Sequence, residues 1–469
     1  MGVAASKNVA ASAGRALPHD PALPALADLF ADEGAPDVVG TVAREAGLEV
    51  DPARAEIAYV RYRPTRTCSV LYSFDGDHGD ETFISAKIFG SDKGKSVLDR
   101  PRFQRRVDSA RATAGEGTRH HDYLADKKLL LTVFPLDARL RGLPASTSEA
   151  WVRQNMAPSL GLSDDVAITG ITPLSYKPWR RCVLRYSFAD GDRAVTYYGK
   201  VFRDDRATEM GGRLAAVAET LRTSSVPWDI VTPAAYVPSA RLLLFPAIEE
   251  GRETKTLMKE AIDRTAPRRE LARWMAAAAE GLGVFQQTPL DGLDVVTPAD
   301  LVAKYASDAA SIAKVAGPLG EAVTRRVQAL AKLADELAPE PLVPTHGAFR
   351  YGQLLVGRDR IVVLDLDTLC RSGASADAGN FLAYLDQMRM RRPKYAKLAR
   401  QCTGWFAEAL PPDADGRSGW LAWYRAVSLV KLTVRNFFSL APAWPQTTTG
   451  LLELADAAIE NPRETSVPS

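Results

Sequence analysis

Residues 344–356 read PTHGAFRYGQLLV and residues 361–367 read IVVLDLD. A loop holding His346, an apolar strand, a turn at Gly357-Arg358-Asp359 and a second apolar strand ending in Asp365 and Asp367 compose a hairpin with polar side chains at its ends. Two aspartates at i and i+2 of a strand point the same way, so one face concentrates negative charge. A divalent ion such as Mg²⁺ suits that face, because it takes carboxylate oxygens and leaves room for phosphates. The pair also fits a simpler role, in which Asp365 or Asp367 caps a loop or pairs with an arginine. Both readings stay open on the pair alone.

A second set of chemical groups lies in an internal repeat. Residues 62–74 (YRPTRTCSVLYSF) and 176–188 (YKPWRRCVLRYSF) are identical at seven of thirteen positions, among them Tyr62/Tyr176, Cys68/Cys182 and Tyr72/Tyr186. The likeness continues through Lys87-Ile-Phe and Lys200-Val-Phe, and through the apolar runs 129–135 and 241–246. This pattern reads as a duplication. Taken singly, Lys87 and Lys200 read as solvated strand ends.

The elements that must position these groups follow from local pattern. In each copy, Asp-Gly-Asp (75–77 and 190–192) separates two β-branched and aromatic runs, a hairpin whose second strand ends near the lysine. A helix follows, read over 204–222 in the second copy, and a further apolar strand closes the unit. Beyond 254 the chain changes character. Segments 268–286, 299–315, 318–337 and 418–438 carry apolar residues at helical spacing, and short strands intervene only at 340–385.

Composition narrows the function classes. The chain has 469 residues, 46% apolar and 25% charged, which is ordinary globular composition. Lys+Arg 59 against Asp+Glu 57 leaves a net charge of +2, so nucleic acid is not expected as a main partner. No apolar run approaches a membrane span, and no secretory signal is visible, although Gly2 with Ser6 fits a short N-myristoylation pattern. Four scattered cysteines and five histidines argue against a disulfide framework and a His-rich metal centre, and the cytoplasm is the expected compartment.

The order His346-Gly347-x5-Gln353, Asp365, Asp377 and Asn380-Phe-Leu-Ala resembles the aminoglycoside phosphotransferase family. These are kinase-fold enzymes with a His-Gly-Asp-x4-Asn loop, an Ile-Asp-Trp/Phe strand and a Gly-Asp-Pro-x-x-Asp-Leu-Ala run. The resemblance implies an α+β, bilobal protein-kinase-like fold, with a β-rich small lobe and a helical large lobe, preceded by a second small-lobe-like module. The expected division is a leader with a helical segment (1–48), the first module (49–145), the kinase-like small lobe (146–253) and the large lobe (254–469).

Three features depart from the pattern, one of them the Gly-Asp-Pro run, which is Gly373-Ala374-Ser375 here. The family's catalytic aspartate falls on Ala348, and its metal-binding asparagine falls on Gln353, whose amide oxygen sits one methylene further out. By resemblance, His346 heads the catalytic loop, Asp365 is the main metal ligand with Gln353, and Lys200 contacts the α- and β-phosphates of ATP. Arg350 is placed to hold the γ-phosphate bidentately, and Asp367 or a substrate group takes the proton in place of the missing aspartate. Asp377 braces the His346 loop. Glu209 and Glu219 are both candidates to pair with Lys200, whereas Glu116 is no convincing partner for Lys87.

The expected activity is an ATP- and Mg²⁺-dependent phosphotransferase acting on a hydroxyl of a small molecule or of a peptide Ser/Thr. The alternative is a pseudokinase, a nucleotide-binding regulatory or peptide-docking module without turnover. Lys200 rather than Lys87 is expected to serve the nucleotide, because the second copy leads directly into the large-lobe helices. Lys87 is left at a solvated strand end or on a surface that docks a partner protein.

Overall fold

The computed structural model describes residues 15–30, 34–48, 51, 54–75, 81–114, 120–248, 250–263, 266–411 and 417–460. Gly2, Ser6, Glu116 and the turn residues Gly76 and Asp77 lie outside them. The expected α+β class is what the structure has, and the chain forms two compact units.

The first unit takes residues within 1–211, 233–247 and 438–443 and holds two antiparallel five-stranded sheets. The first sheet is built from β1 (Glu56–Arg63), β2 (Thr67–Asp75), β3 (Glu81–Phe89), β4 (His121–Leu124) and β5 (Leu129–Val133), in the order β1-β2-β3-β5-β4. The second uses β6 (Ala167–Lys177), β7 (Arg181–Asp190) and β8 (Arg193–Phe202); β9 (Trp228–Ile230) pairs elsewhere, and β10 (Ala235–Val237) and β11 (Leu242–Pro246) complete it. Its order, β6-β7-β8-β11-β10, is the first sheet's order again.

Register agrees as well. Cys68 faces Tyr62 and Ile88, and Cys182 faces Tyr176 and Val201. Lys87 stands opposite Ser69 and Leu130, and Lys200 stands opposite Val183 and Leu243.

The residues shared by the two copies are explained by one anchoring scheme. The Tyr62 hydroxyl donates to Asp20 at 2.7 Å, and the Thr65 N–H donates to the same carboxylate at 2.8 Å. In the second copy, the Tyr176 hydroxyl and the Trp179 N–H donate to Asp137 at 2.8 and 2.7 Å. Tyr72 donates to the Leu29 carbonyl and Tyr186 to the Ser146 carbonyl, at 2.7 and 2.9 Å. Cys68 and Cys182 are fully buried free thiols, pushed up in pKa by that burial, so they fill the core rather than react.

The second unit takes residues within 212–232, 248–437 and 444–469 and is mainly helical. Helices Arg268–Phe285, Pro298–Ala313, Gly317–Glu336 and Arg417–Phe438 fall where the apolar spacing places them. β12 (Arg252–Glu253), then β13 (Leu342–Thr345), β14 (Leu354–Val356), β15 (Ile361–Val363) and β16 (Cys370–Gly373) supply the strands. They make a four-stranded sheet β12-β14-β15-β9 and a two-stranded pair β13-β16. An aromatic column runs through the core: Trp228 stacks on Phe349 (5.4 Å between ring centroids), Phe349 on Phe381 (5.3 Å) and Phe381 on Phe406 (4.1 Å). Among the described residues, no helix is long and apolar enough to cross a membrane.

Candidate active site

The loop that carries His346 is held from beneath by the first turn of helix Ala376–Arg391. Asp377 accepts the N–H of His346 at 2.6 Å and the N–H of Gly347 at 3.0 Å, and its side chain is buried. One turn on, Asn380 donates its amide to the Phe349 carbonyl at 2.6 Å, and Lys431 donates to the Asn380 oxygen. Phe349 is fully buried in the aromatic column, so both loop backbone and loop side chain are fixed. Gly347 adopts φ 74, and a Cβ there would strike the Thr368 carbonyl, so the turn requires glycine.

The strand read over 361–367 is shorter than its apolar run. β15 stops at Val363, Asp365 takes a left-handed φ of 65, and Asp367 lies in a 3-10 turn, Leu366–Thr368. The two aspartates therefore do not sit at i and i+2 of a strand, and the common face expected of them fails for that reason. Aspartate tolerates the left-handed conformation, and at this corner it re-aims the chain. Both aspartates are half-buried.

Gln353 lies across the hairpin. Its backbone carbonyl accepts the Leu364 N–H at 2.9 Å, one residue before Asp365. The Gln353 side chain is 5% exposed, and its amide oxygen has no hydrogen-bond partner. His346 is similar: its Nε2 meets the Leu364 carbonyl at 3.0 Å, and its buried Nδ1 has no partner. A buried, unpaired carbonyl-type oxygen is the kind of donor a hard cation takes together with a carboxylate. The donors of Gln353 and Asp365 thus fit Mg²⁺, although among the described residues no three His, Cys, Asp or Glu side chains cluster as a ready-made cage.

Arg350 follows the alanine of the loop and lies 5.3 Å from the Tyr384 ring. It belongs to a concentration of cations that the motif did not announce. Burial, then Arg350 and Arg392, hold the Lys255 ammonium below its ordinary pKa, against the pull of Glu253. Burial raises the Tyr384 hydroxyl, yet Arg435, Lys431 and Arg350 together bring it below its ordinary value, and Arg435 donates to it at 2.8 Å. These residues come from four separate segments, so no local spacing could reveal them.

Lys200 lies on β8 in the first unit, 5.9 Å from the Phe202 ring. Helix Ala207–Arg222 begins at 207 rather than 204, after a turn through Asp204–Arg206. Of the two glutamates left open, Glu219 is exposed and pairs with Arg222 at 2.6 Å, a surface role one helical turn in reach. Glu209 is exposed in the first turn.

Lys87 overturns its expectation. It is half-buried, with its ammonium 3.5 Å from the Trp179 ring centroid, inside a cavity of about 770 Å³. It is not a solvated strand end.

Comparison with known proteins agrees with the motif. Residues 184–416 match the model of the phosphotransferase enzyme family, beginning inside β7 and taking in Lys200, the His346 loop, Asp365 and Asp377. That segment is of the phosphotransferase family, and the first sheet lies outside the match. Solved structures similar to the chain include a choline/ethanolamine kinase family protein from Mesorhizobium loti (15% identity, 62% of this chain and 89% of that one, TM-score 0.42). An amicoumacin kinase in complex with AMP-PNP and Ca²⁺ shares 11% identity over 68% of this chain and 95% of that one, with a TM-score of 0.46. A glucosamine kinase in complex with glucosamine, ADP and inorganic phosphate shares 17% identity over 66% and 86%, with a TM-score of 0.44. No curated protein sequence matches.

Proposed function

We propose that the chain is an ATP-dependent phosphotransferase that moves the γ-phosphoryl group to a hydroxyl of a small molecule. The observation that carries this reading is the buried, unpartnered side-chain oxygen of Gln353, whose backbone pairs with Leu364 one residue before Asp365, in a hairpin whose loop is clamped by Asp377 and Asn380. Gln353 and Asp365 would hold Mg²⁺, which supplies charge neutralisation on the transferring phosphates. Arg350 offers a forked donor to the γ-phosphate, and Lys200 offers a point charge to the inner phosphates. The acceptor oxygen bonds to phosphorus, the bond from phosphorus to the β-phosphate oxygen breaks, and ADP leaves. The hydroxyl proton passes to Asp367 or to solvent.

The missing aspartate at Ala348 is compatible with slow turnover. Phosphoryl transfer runs largely through a loose transition state, and a general base contributes ~10²–10⁴-fold. The cations gathered with Arg350 and Tyr384 also bear on the acceptor. Lys255, Arg350, Arg392, Lys431 and Arg435 influence one another or Tyr384 and outnumber the carboxylates that act on them, Glu253 and Asp377, so we take the field there as positive. An aminoglycoside carries several ammonium groups and has the wrong charge for that field. A neutral or anionic hydroxyl compound fits it.

The test is ADP release with Mg·ATP and a panel of polyols, sugar phosphates and aminoglycosides. ADP should form at least ~10-fold faster than in Asp365→Ala, since that variant loses the carboxylate that would hold Mg²⁺ and with it the charge neutralisation of the transferring phosphates. Aminoglycosides should add nothing. Equal rates in both proteins would overturn the reading. A nucleotide-binding module without turnover is the second reading, and Ala348 itself favours it. In that case saturating Mg·ATP would raise the melting temperature by ~2–4 °C, the shift for ~2.7 kcal/mol of ligand stabilisation, with no ADP from either the protein or Ala348→Asp.

A further inference from the structure

A cavity of about 770 Å³ lies on the first sheet, and most of its lining falls outside the family match, Arg203, Asp204 and Arg241 excepted. Eleven lysines and arginines line it, against a single carboxylate, Asp204. That carboxylate is already engaged by Arg203 and Arg206 at 3.1 and 2.6 Å. Register explains how the charges gather. Arg61 on β1 faces Ser69 on β2, and Ser69 faces Lys87 on β3, so one row across three strands points into the cavity. Arg63, Thr67 and Phe89 form the next row. Trp179 arrives from the turn between β6 and β7 and supplies an aromatic wall, with Lys87 at 3.5 Å and Arg139 at 5.7 Å from its ring centroid.

Such crowding is unfavourable in the absence of an anion. Burial, then Arg139, Arg61 and Arg63 lower the Lys87 ammonium to about 7, opposed by Asp137. Burial, then Arg180, Arg63 and Arg203 lower Arg61 to about 10, opposed by Tyr59. A fold keeps like charges together at this cost where a ligand neutralises them. The second sheet makes the point by contrast, because Ser175 and Val183 occupy the positions of Arg61 and Ser69 beside Lys200.

We propose that this cavity binds a small molecule carrying several phosphate groups, and that it binds the ligand without a metal ion. Several cations require several anionic oxygens, and arginine forks and lysines match phosphate. The one lining carboxylate is taken, so no donor set remains there for Mg²⁺. A volume of about 770 Å³ suits a single small ligand rather than a polymer. Phe89 and Trp179 give a ring-bearing ligand an apolar face.

The full chain is titrated in EDTA with inorganic triphosphate, ATP and inositol hexakisphosphate, each followed by calorimetry. At least one should bind saturably, and Lys87→Met or Arg63→Gln should weaken it by about 10- to 100-fold, the loss of one hydrogen bond to a charged group. Adding Mg²⁺ should weaken binding, and Asp365→Ala should leave it unchanged. Preference for triphosphate, ATP or the inositol compound identifies which scaffold carries the phosphates. The proposal is overturned if none of the three binds at millimolar concentration, or if binding needs Mg²⁺. It is equally overturned if binding survives in both Lys87→Met and Arg63→Gln while their melting temperatures match the parent's. Loss of ADP formation in Asp365→Ala bears only on the transfer site, so the two readings fail separately.

Discussion

The two sheets of the first unit share strand order, register and anchoring hydrogen bonds, and differ in what surrounds the lysine of the third strand. The identities between the copies fall on the anchors. Tyr62/Tyr176 reach Asp20/Asp137, Tyr72/Tyr186 reach the backbone, and Cys68/Cys182 fill the core. The differences fall on the open face: Arg61 against Ser175, and Ser69 against Val183. Sameness between the copies therefore marks the fold, and divergence marks chemistry. Two lysines in equivalent registers need not have equivalent ligands.

Paired substitution of the lysines is the strongest way to break that contrast. Lys200→Ala should weaken Mg·ATP by ~1.5–3 kcal/mol, the range for a hydrogen bond to a charged group, and Lys87→Ala should leave Mg·ATP nearly unchanged. In EDTA with triphosphate, the order should reverse. Equal losses in either medium would mean that one site serves both ligands. Titration calorimetry of both variants in both media decides it.

The anchors test what the two copies share, and they are read in folding rather than in binding. Asp137 accepts four donors, the Tyr176 hydroxyl and the N–H groups of Trp179, Arg139 and Leu140. Asp20 accepts the Tyr62 hydroxyl and the N–H groups of Thr65 and Ala22. Replacing either by alanine strands buried donors, at a cost of ~1–3 kcal/mol per unsatisfied group. Asp137→Ala should be the more damaging in urea unfolding, since it strands one more donor and also releases the turn that carries Trp179 to the cavity. Equal destabilisation would show that the turn gains nothing from its second role.

How much of this was legible in the sequence depends on the range of the cause. The His346 loop, Asp365, Asp377 and the helices of the second unit follow from short motifs and apolar spacing, and Asp377 does brace the loop. The hairpins and the helix of the second copy were legible for the same reason. The turn at Asp365 was hidden, because IVVLDLD alternates as a strand would and nothing local marks a left-handed aspartate. The cavity was hidden more deeply. Its rows need the register of β1, β2 and β3, and Trp179 reaches Lys87 from ninety-two positions away in the chain. Asp20 and Asp137 stand upstream of the repeat that the identities delimit, so the module boundaries at 49 and 146 cut each anchor from its sheet. We infer that the repeated unit reaches back to these aspartates.

The finest distinction between the two lysines is protonic. Lys87 faces Arg61 and Arg63 from β1, Cys68 from β2, and Asp137, Arg139 and Trp179 from the segments after β5 and β6. Its ammonium stands at about 7 because burial and three guanidiniums disfavour the charge more than Asp137 supports it. At pH 8 the Lys87 amine is therefore mostly neutral before ligand arrives, while the arginines around it stay charged. A phosphate-bearing anion favours the charged form and raises that pKa, so the Lys87 amine takes up a proton on binding, which the difference between the parent and Lys87→Met reads. The uptake should be a fraction of one proton, largest between about pH 7 and 9, and should fade below pH 6, where the ammonium is already charged. Calorimetry of triphosphate in EDTA, repeated in buffers of different ionisation enthalpy, reads the number directly. Lys87→Met should lower the uptake by that fraction, whereas Lys200→Met should preserve it. An uptake unchanged in Lys87→Met would assign the proton to another group and remove the electrostatic basis of the contrast between the sheets.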